Sequence, residues 1–200
     1  MTGAALAGSV AAGPHAQTDA QAGAPTSAQL HAYTIDPTHT FASVEVDTGL
    51  TTLRLRFDRK SGTIAFDRAG RTGAVAFKVE TASVSSGLPA LDDHLRSAAL
   101  FDATRFPQAT FTSESFAFEG DRVTEVAGTL TLRDQLQPLT VKALRFGCYV
   151  NPLFLREVCG GDFEAWIEPG RWGLSLSGGS ALPGTVPRVR LLVQVEAIRQ

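Results

Sequence analysis

From Tyr33 onward the chain is written in short alternations of apolar and polar residues. In TLRLRF, Thr52 to Phe57, Leu53, Leu55 and Phe57 share one face while Arg54 and Arg56 share the other. That period of two is the signature of a half-buried strand. Val75, Phe77 and Val79 alternate in the same way with Ala76, Lys78 and Glu80. Val123 to Leu132 and Leu139 to Phe146 form a further pair, with a turn predicted at Asp134-Gln135. The last strand is the most regular: Val189, Leu191, Val193, Val195 and Ala197 alternate with Arg190, Leu192, Gln194 and Glu196. Ser61-Gly62 and Asp67 to Gly73 break the pattern and are predicted as turns.

One stretch has a helical period. In LDDHLRSAALFDATRFPQATF, residues 91 to 111, Leu91, Leu95 and Ala98 or Ala99 recur at helical spacing. Asp92 and Asp93 at its front suit the positive end of a helix dipole. Pro89 before it and Pro107 after it make it short. As a metal or acid/base site this run fails on geometry, because neighbouring acids on a helix diverge by about 100°. Three readings remain: a solvated face with an Asp92–Arg96 pair, a structural role for Asp93 or His94, or a polar contact to a ligand.

About eight alternating strands joined by turns indicate an all-β antiparallel barrel or sandwich, and closure would remove the exposed edges. Such a barrel has room for packed side chains or one slim ligand. We expect one domain over residues 33–200, preceded by a disordered leader or signal-peptide remnant over 1–32.

Composition narrows the setting. The 200 residues are 44% hydrophobic with a formal net charge of −2, so nothing electrostatic calls for a nucleic-acid partner. No apolar run reaches the roughly 18 residues that a membrane-spanning helix needs. The leader is rich in Ala, Gly, Ser and Gln and has no aromatic residue. Ala4 to Ala12 resembles the end of a secretory hydrophobic region, although a positive segment before it is missing. Ala20-Gln21-Ala22 or Ala22-Gly23-Ala24 would serve as a cleavage site. Cys148 and Cys159 read as a local disulfide in an oxidising compartment and as two thiols in the cytosol. With the leader, they predict a periplasmic or secreted protein.

Catalytic signatures are absent from the sequence: no Walker loop, GxSxG, HExxH or CxxC occurs. The four histidines, at 15, 31, 39 and 94, are scattered, and a triad would have to assemble on His39 or His94. No Cys or His lies close enough to the cysteine pair to suggest zinc. Twelve phenylalanines stand against two tyrosines, which means large aromatic surface with few hydroxyls to satisfy. Periodicity does not distinguish a filled barrel from one lining an apolar tunnel.

The motifs YTIDPTHT (33 to 40), DDHLRSAALFDATRFPQATFTSES (92 to 115), VAGTLTLRDQLQPLTV (126 to 141) and RWGLSL (171 to 176) resemble the YceI-like family in order and spacing. The sequence departs from the family pattern at DTGLTTLRLRF, where Asp47 and Leu55 replace the usual His and Gly, and at Asp134, which takes a glycine place. The resemblance implies an eight-stranded, lipocalin-like barrel, usually exported, with one short helix near its mouth. It implies an elongated apolar lumen holding an isoprenoid or similar long-chain lipid, and no catalytic residues. The inward positions expected to touch such a ligand are Phe41, Leu53, Leu55, Phe57, Val75 and Phe77, then Phe111, Leu130, Phe146 and Trp166. Leu95, Leu100 and Phe101 are expected near the mouth. No metal or resident cofactor is expected; an isoprenoid quinone or polyprenyl lipid would be the ligand. The partners expected are a long-chain apolar small molecule and, through a shared strand edge or helix face, a second copy. The rival readings are an interaction module with a solid barrel, and an enzyme with two titratable groups converging inside the cavity.

Overall fold

The alternating segments fold as strands. In chain order these are β1 (His31–Ile35), β2 (Phe41–Asp47), β3 (Thr52–Phe57), β4 (Lys60–Asp67), β5 (Thr72–Glu80) and β6 (Val84–Ser85). A helix, α1 (Pro89–Arg96), follows, then β7 (Gln108–Glu119), β8 (Arg122–Leu132), β9 (Gln135–Val150), β10 (Glu157–Ile167) and β11 (Arg188–Arg199). The computed structural model describes residues 1–3, 29–175 and 188–200. Most of the expected leader, with its candidate cleavage sites, lies outside the described residues, and β1 begins at His31.

Eight strands close an antiparallel barrel in the order β1-β4-β5-β7-β8-β9-β10-β11, with β11 returning to β1. Each strand of that ring pairs with a neighbour on both sides over at least part of its length, so no strand is left at an open edge. The other three strands lengthen its wall. β11 pairs with β1 through Ala197 to Arg199 and with β2 through Arg188 to Gln194, so β1 and β2 follow each other along one edge. β3 pairs with β2, and β6 pairs with β3, at the end of the barrel where α1 sits.

Several local expectations are corrected. Ser61-Gly62 is not a turn: both residues lie inside β4, paired with Lys78 and Phe77. Glycine is required at 62 because a Cβ there would sit 2.5 Å from the Ala76 carbonyl oxygen and 2.7 Å from Ile35 Cδ1. The β8–β9 turn is Arg133-Asp134, one residue earlier than expected, and β9 starts at Gln135. Arg133 (φ 51°) and Asp134 (φ 58°) both adopt the left-handed conformation that a two-residue hairpin favours. Asp fits the family's glycine place there because its short polar side chain tolerates that conformation. Pro89 is the first helical residue, where its missing N–H costs nothing, and α1 ends at Arg96, ahead of Ala98 and Ala99.

Two apolar clusters fill opposite ends. Away from α1, Tyr33, Phe66, Val123 and Ala197 are buried, with the Phe66 ring 6.0 Å from Phe118 and 5.5 Å from Phe146. Beside α1, Ala42, Leu55, Phe57, Val84, Leu95 and Leu100 pack together.

Candidate functional site: an apolar lumen

Because side chains alternate across a strand, a closed barrel turns one whole set of them inward. Here those sets surround a cavity of about 440 Å³, within the roughly 300–1,000 Å³ typical of small-molecule sites. The wall is apolar almost throughout, from Tyr33 and Phe66 at the closed end to Leu91 and Leu174 at the other. The barrel is therefore hollow. Phe77, Phe111, Leu130, Phe146, Phe163 and Val193 point inward yet are only partly buried, because a void lies in front of them.

Eleven of the residues expected to face the lumen do so. Leu53, Leu55, Phe57, Val75, Phe77, Phe111, Leu130 and Phe146 line its walls, and Leu95, Leu100 and Phe101 line it beside α1. Phe41 and Trp166 do not, and both are 51% exposed. On β2 the inward set is Ala42, Val44 and Val46; on β10 it includes Phe163, Ala165 and Ile167. Phe41 and Trp166 belong to the opposite set, on the outer wall. Phe41 lies under the Lys60 ammonium at 5.6 Å, and Trp166 under the Arg190 guanidinium at 5.9 Å. The parity of Val44, Val46 and Ala165 pointed the other way for both.

Phe146 reaches the lumen by an irregularity. Asp162 pairs with Arg145 but Phe163 pairs with Ala143, so Leu144 is a bulged residue without a cross-strand partner. Unbroken alternation from Leu139 would have turned Phe146 outward. The extra residue reverses the parity, brings Phe146 in and leaves Leu144 exposed.

The α1 end is the mouth. Its lining residues His94 and Ser175 are exposed, whereas none of those at the other end is. α1 is clasped across it by polar contacts: the expected Asp92–Arg96 pair is present at 3.9 Å, Asp93 and His94 are exposed, and Asp92 is turned in. Asp92 is buried, and its carboxylate accepts hydrogen bonds from the Ser86 N–H and hydroxyl, both at 2.6 Å. Those bonds, first the hydroxyl and then the N–H, hold the Asp92 carboxyl below its ordinary pKa. Arg96 donates to the carbonyls of Ala82 (3.0 Å) and Val84 (2.9 Å). The apolar side of α1, Leu91 and Leu95, is left for the lumen, and Phe101 meets Phe57 edge-on at 5.7 Å.

A second closure, unforeseen from periodicity, seals the side of the mouth. β9 pairs with β10 only from Lys142 onward, so Gln135 to Val141 have β8 alone as partner. The seam is filled by the turn Pro169–Trp172 and by Leu174. Trp172 is fully buried and its indole N–H donates to the Leu130 carbonyl at 3.1 Å.

Titratable groups are placed at the margins. His94 is on the rim, and Glu164 is held by Arg190 at 2.6 Å. Tyr33 borders the closed end, but its hydroxyl donates outward to Glu157 at 2.8 Å. Burial, aided by that bond and the Glu157 charge, pushes its pKa to about 12. His39 is in an exposed loop, bonded to Asp36 at 2.7 Å, and is outside the lumen. Thr38 and His39 hold the Asp36 carboxyl down to about 2, and Asp36 in turn raises the imidazole pKa. Cys148 and Cys159, cross-strand neighbours on β9 and β10, form a disulfide. Glu157 and the two sulfurs are the one cluster of three metal-binding groups among the described residues, and the sulfurs are spent on each other. What the site offers is enclosure of an apolar chain, with polar groups kept to its rim.

Comparison with known proteins agrees with this architecture. The family model described as a YceI-like domain matches residues 33–197. The protein YceI of Salmonella arizonae is 31% identical over 164 residues, covering 81% of this chain and 83% of that protein. A UPF0312 protein of Vibrio cholerae is 31% identical over 132 residues, covering 64% of this chain and 70% of that protein. Among solved structures, BcnA of Burkholderia cenocepacia superposes with a TM-score of 0.66 at 20% identity, over 81% of this chain and 98% of that one. A polyisoprenoid binding domain from Saccharophagus degradans, implicated in plant cell wall breakdown, superposes with a TM-score of 0.58 at 19% identity. It covers 85% of this chain and 99% of that domain, and at such identities both structures speak to the fold.

Proposed function

The chain belongs to the YceI-like family, and from that membership and its hollow lumen we propose that it is an exported carrier for a polyisoprenoid or similar long-chain lipid. The observation that carries this reading is the continuous apolar cavity of about 440 Å³ with its one exposed rim at α1. Burying a hydrocarbon chain is favourable by about 0.8 kcal/mol per CH₂, so such a lumen needs few polar contacts to bind tightly. Thr48, His94 and Ser175 border the cavity at the α1 end, which suits a ligand whose polar head stays near water. The polyisoprenoid-binding relative of the same fold supports the ligand class. An isoprenoid quinone fits the description as ligand, not as resident cofactor. Export is supported by the Cys148–Cys159 disulfide, since such bonds persist in oxidising compartments. The solid-barrel alternative requires a filled interior and is disfavoured by the void.

The test is native mass spectrometry of the protein purified from membrane-rich extracts, with titration of a fluorescent prenyl chain. A co-purifying lipid and saturable binding are expected. Repeated recovery of empty protein that takes up no prenyl chain would overturn the proposal.

A further inference from the structure

At the end of the barrel farthest from α1, the β9–β10 hairpin ends in an apolar tip, YVNPLFLR, residues 149 to 156. Leu153 is 90% exposed and Leu155 79%, and Tyr149, Val150 and Phe154 are exposed beside them. None of these residues lines the lumen. Scattered exposed apolar side chains are ordinary, but contiguous ones on a convex tip point to a partner.

Three features say which partner. First, the tip bonds three of its backbone N–H groups within itself. The Leu153 N–H donates to the Asn151 side-chain oxygen at 2.9 Å, and the Leu155 N–H to the Asn151 carbonyl at 2.9 Å. Asn151 N–H donates to the Arg156 carbonyl at 2.9 Å, and Pro152 has no N–H to satisfy. A loop so bonded can leave water without stranding those groups, which a hydrocarbon-facing segment must do and a protein-facing one need not. Second, the tip is held rigid with its apolar side chains outward. The Cys148–Cys159 disulfide ties the hairpin just beneath it, and Leu155 is kept in the left-handed conformation at φ 54°. A bulky apolar residue in that conformation persists only where its surroundings enforce it, as they often do at functional sites. Third, the base is cationic. Arg68 and Arg199 share the single carboxylate of Glu157, at 3.1 and 3.5 Å, and Arg156 makes no ion pair among the described residues. Two guanidiniums on one carboxylate, with the Arg156 cation beside them in sequence, leave net positive charge at the base of the apolar tip, which matches anionic head groups above an acyl layer.

We infer that the β9–β10 tip docks the protein on a lipid bilayer bearing anionic head groups, with Leu153, Phe154 and Leu155 entering the interface and Arg156 meeting the phosphates. This surface is independent of whatever the lumen holds. Docked in this way, the barrel stands with its α1 mouth pointing away from the bilayer.

The test is sedimentation of the full chain with vesicles of phosphatidylcholine alone and of phosphatidylcholine mixed with phosphatidylglycerol. Binding to the mixed vesicles, weakened by salt, is expected. Leu153→Glu combined with Leu155→Glu should lower partitioning by at least about tenfold, and Arg156→Glu should lower it only on the anionic vesicles. A Phe154→Trp variant should be quenched by bromine-labelled acyl chains. Because these side chains are exposed, the variants should keep the wild-type thermal midpoint, which separates lost docking from lost fold. Failure of the wild type to sediment with either vesicle overturns the proposal, as does undiminished binding by the double Glu variant. Concentration-dependent dimerisation abolished by that variant, without vesicle binding, assigns the tip to a second copy and equally overturns it. Prenyl-chain uptake by the double Glu variant reads the lumen separately, so the two proposals fail independently.

Discussion

Asp92 on α1 accepts hydrogen bonds from both the backbone N–H and the hydroxyl of Ser86, each at 2.6 Å, and so pins the helix across the barrel mouth. The pair decides how firmly the mouth is covered. Its carboxyl pKa is lowered in the folded state, so its stabilisation is fully present above the ordinary aspartate value near 4. It is lost as pH falls through the lowered, folded-state value. Asp92→Asn should therefore speed amide exchange in α1 at neutral pH relative to wild type. The difference between the two proteins should shrink in acid, as the wild-type carboxyl takes up its proton. Hydrogen exchange resolved on residues 89–96 is the measurement.

The placement of aromatic residues makes a sharper comparison. Ala165 faces the lumen while its neighbour Trp166 lies on the outer wall. Ala165→Trp should fill part of the cavity and weaken prenyl-chain binding by about tenfold or more, the equivalent of two displaced CH₂ groups. Phe41→Ser and Trp166→Ser should leave that affinity unchanged. Fluorescence titration of one prenyl probe against the three variants decides it.

Tyr33 reports on the closed end. With a folded-state pKa of about 12, its hydroxyl ionises well above the ordinary tyrosine value near 10. A raised pKa adds stability that is whole below the unfolded value and is lost as pH climbs from there through about 12. Alkaline unfolding of Tyr33→Phe should lack that component, and a tyrosinate absorbance titration of the folded wild type should show a group ionising near 12.

Gly62 tests the close approach of β4 to β5. The Cβ of an alanine would meet the Ala76 carbonyl oxygen at 2.5 Å, a backbone atom that cannot swing aside. Gly62→Ala should cost about 1–3 kcal/mol of stability by overpacking, read from chemical denaturation.

The cysteine pair closes a short loop between neighbouring strands, with a sequence separation of 11. Replacing both by serine should lower unfolding stability by about 3 kcal/mol or less, since the loop-entropy model sets that ceiling. The same variant should still close its barrel, because the eight-strand ring is held by backbone pairing on every side.

Much of this was legible in the residues. Strict alternation in TLRLRF and in Val189 to Ala197 named their inward faces correctly, because side-chain direction in a strand is a local, period-two property. Leu91 and Leu95 gave the inward stripe of α1 by the same logic at a helical period. Phe41 and Trp166 were misplaced because alternation gives two faces and the wrong one of the two was taken as inward. The reading of Ser61-Gly62 as a turn failed for another reason. Glycine marks close backbone approach as well as turns, and only the neighbouring strand tells the two apart.

By itself, then, the sequence determined the strictly alternating strands such as β3, β5 and β11 with their apolar faces, the short helix, the cysteine pair and the family pattern, all of which are written in local order and spacing. The tertiary structure decided the rest. Phe146 faces inward only because β10 skips Leu144 in its pairing. Asp92 is buried only because Ser86 is folded against it. The barrel is hollow because eight inward faces meet at a circumference their side chains do not fill. Each of these depends on which distant segments pair, and with what register, and no local period carries that information.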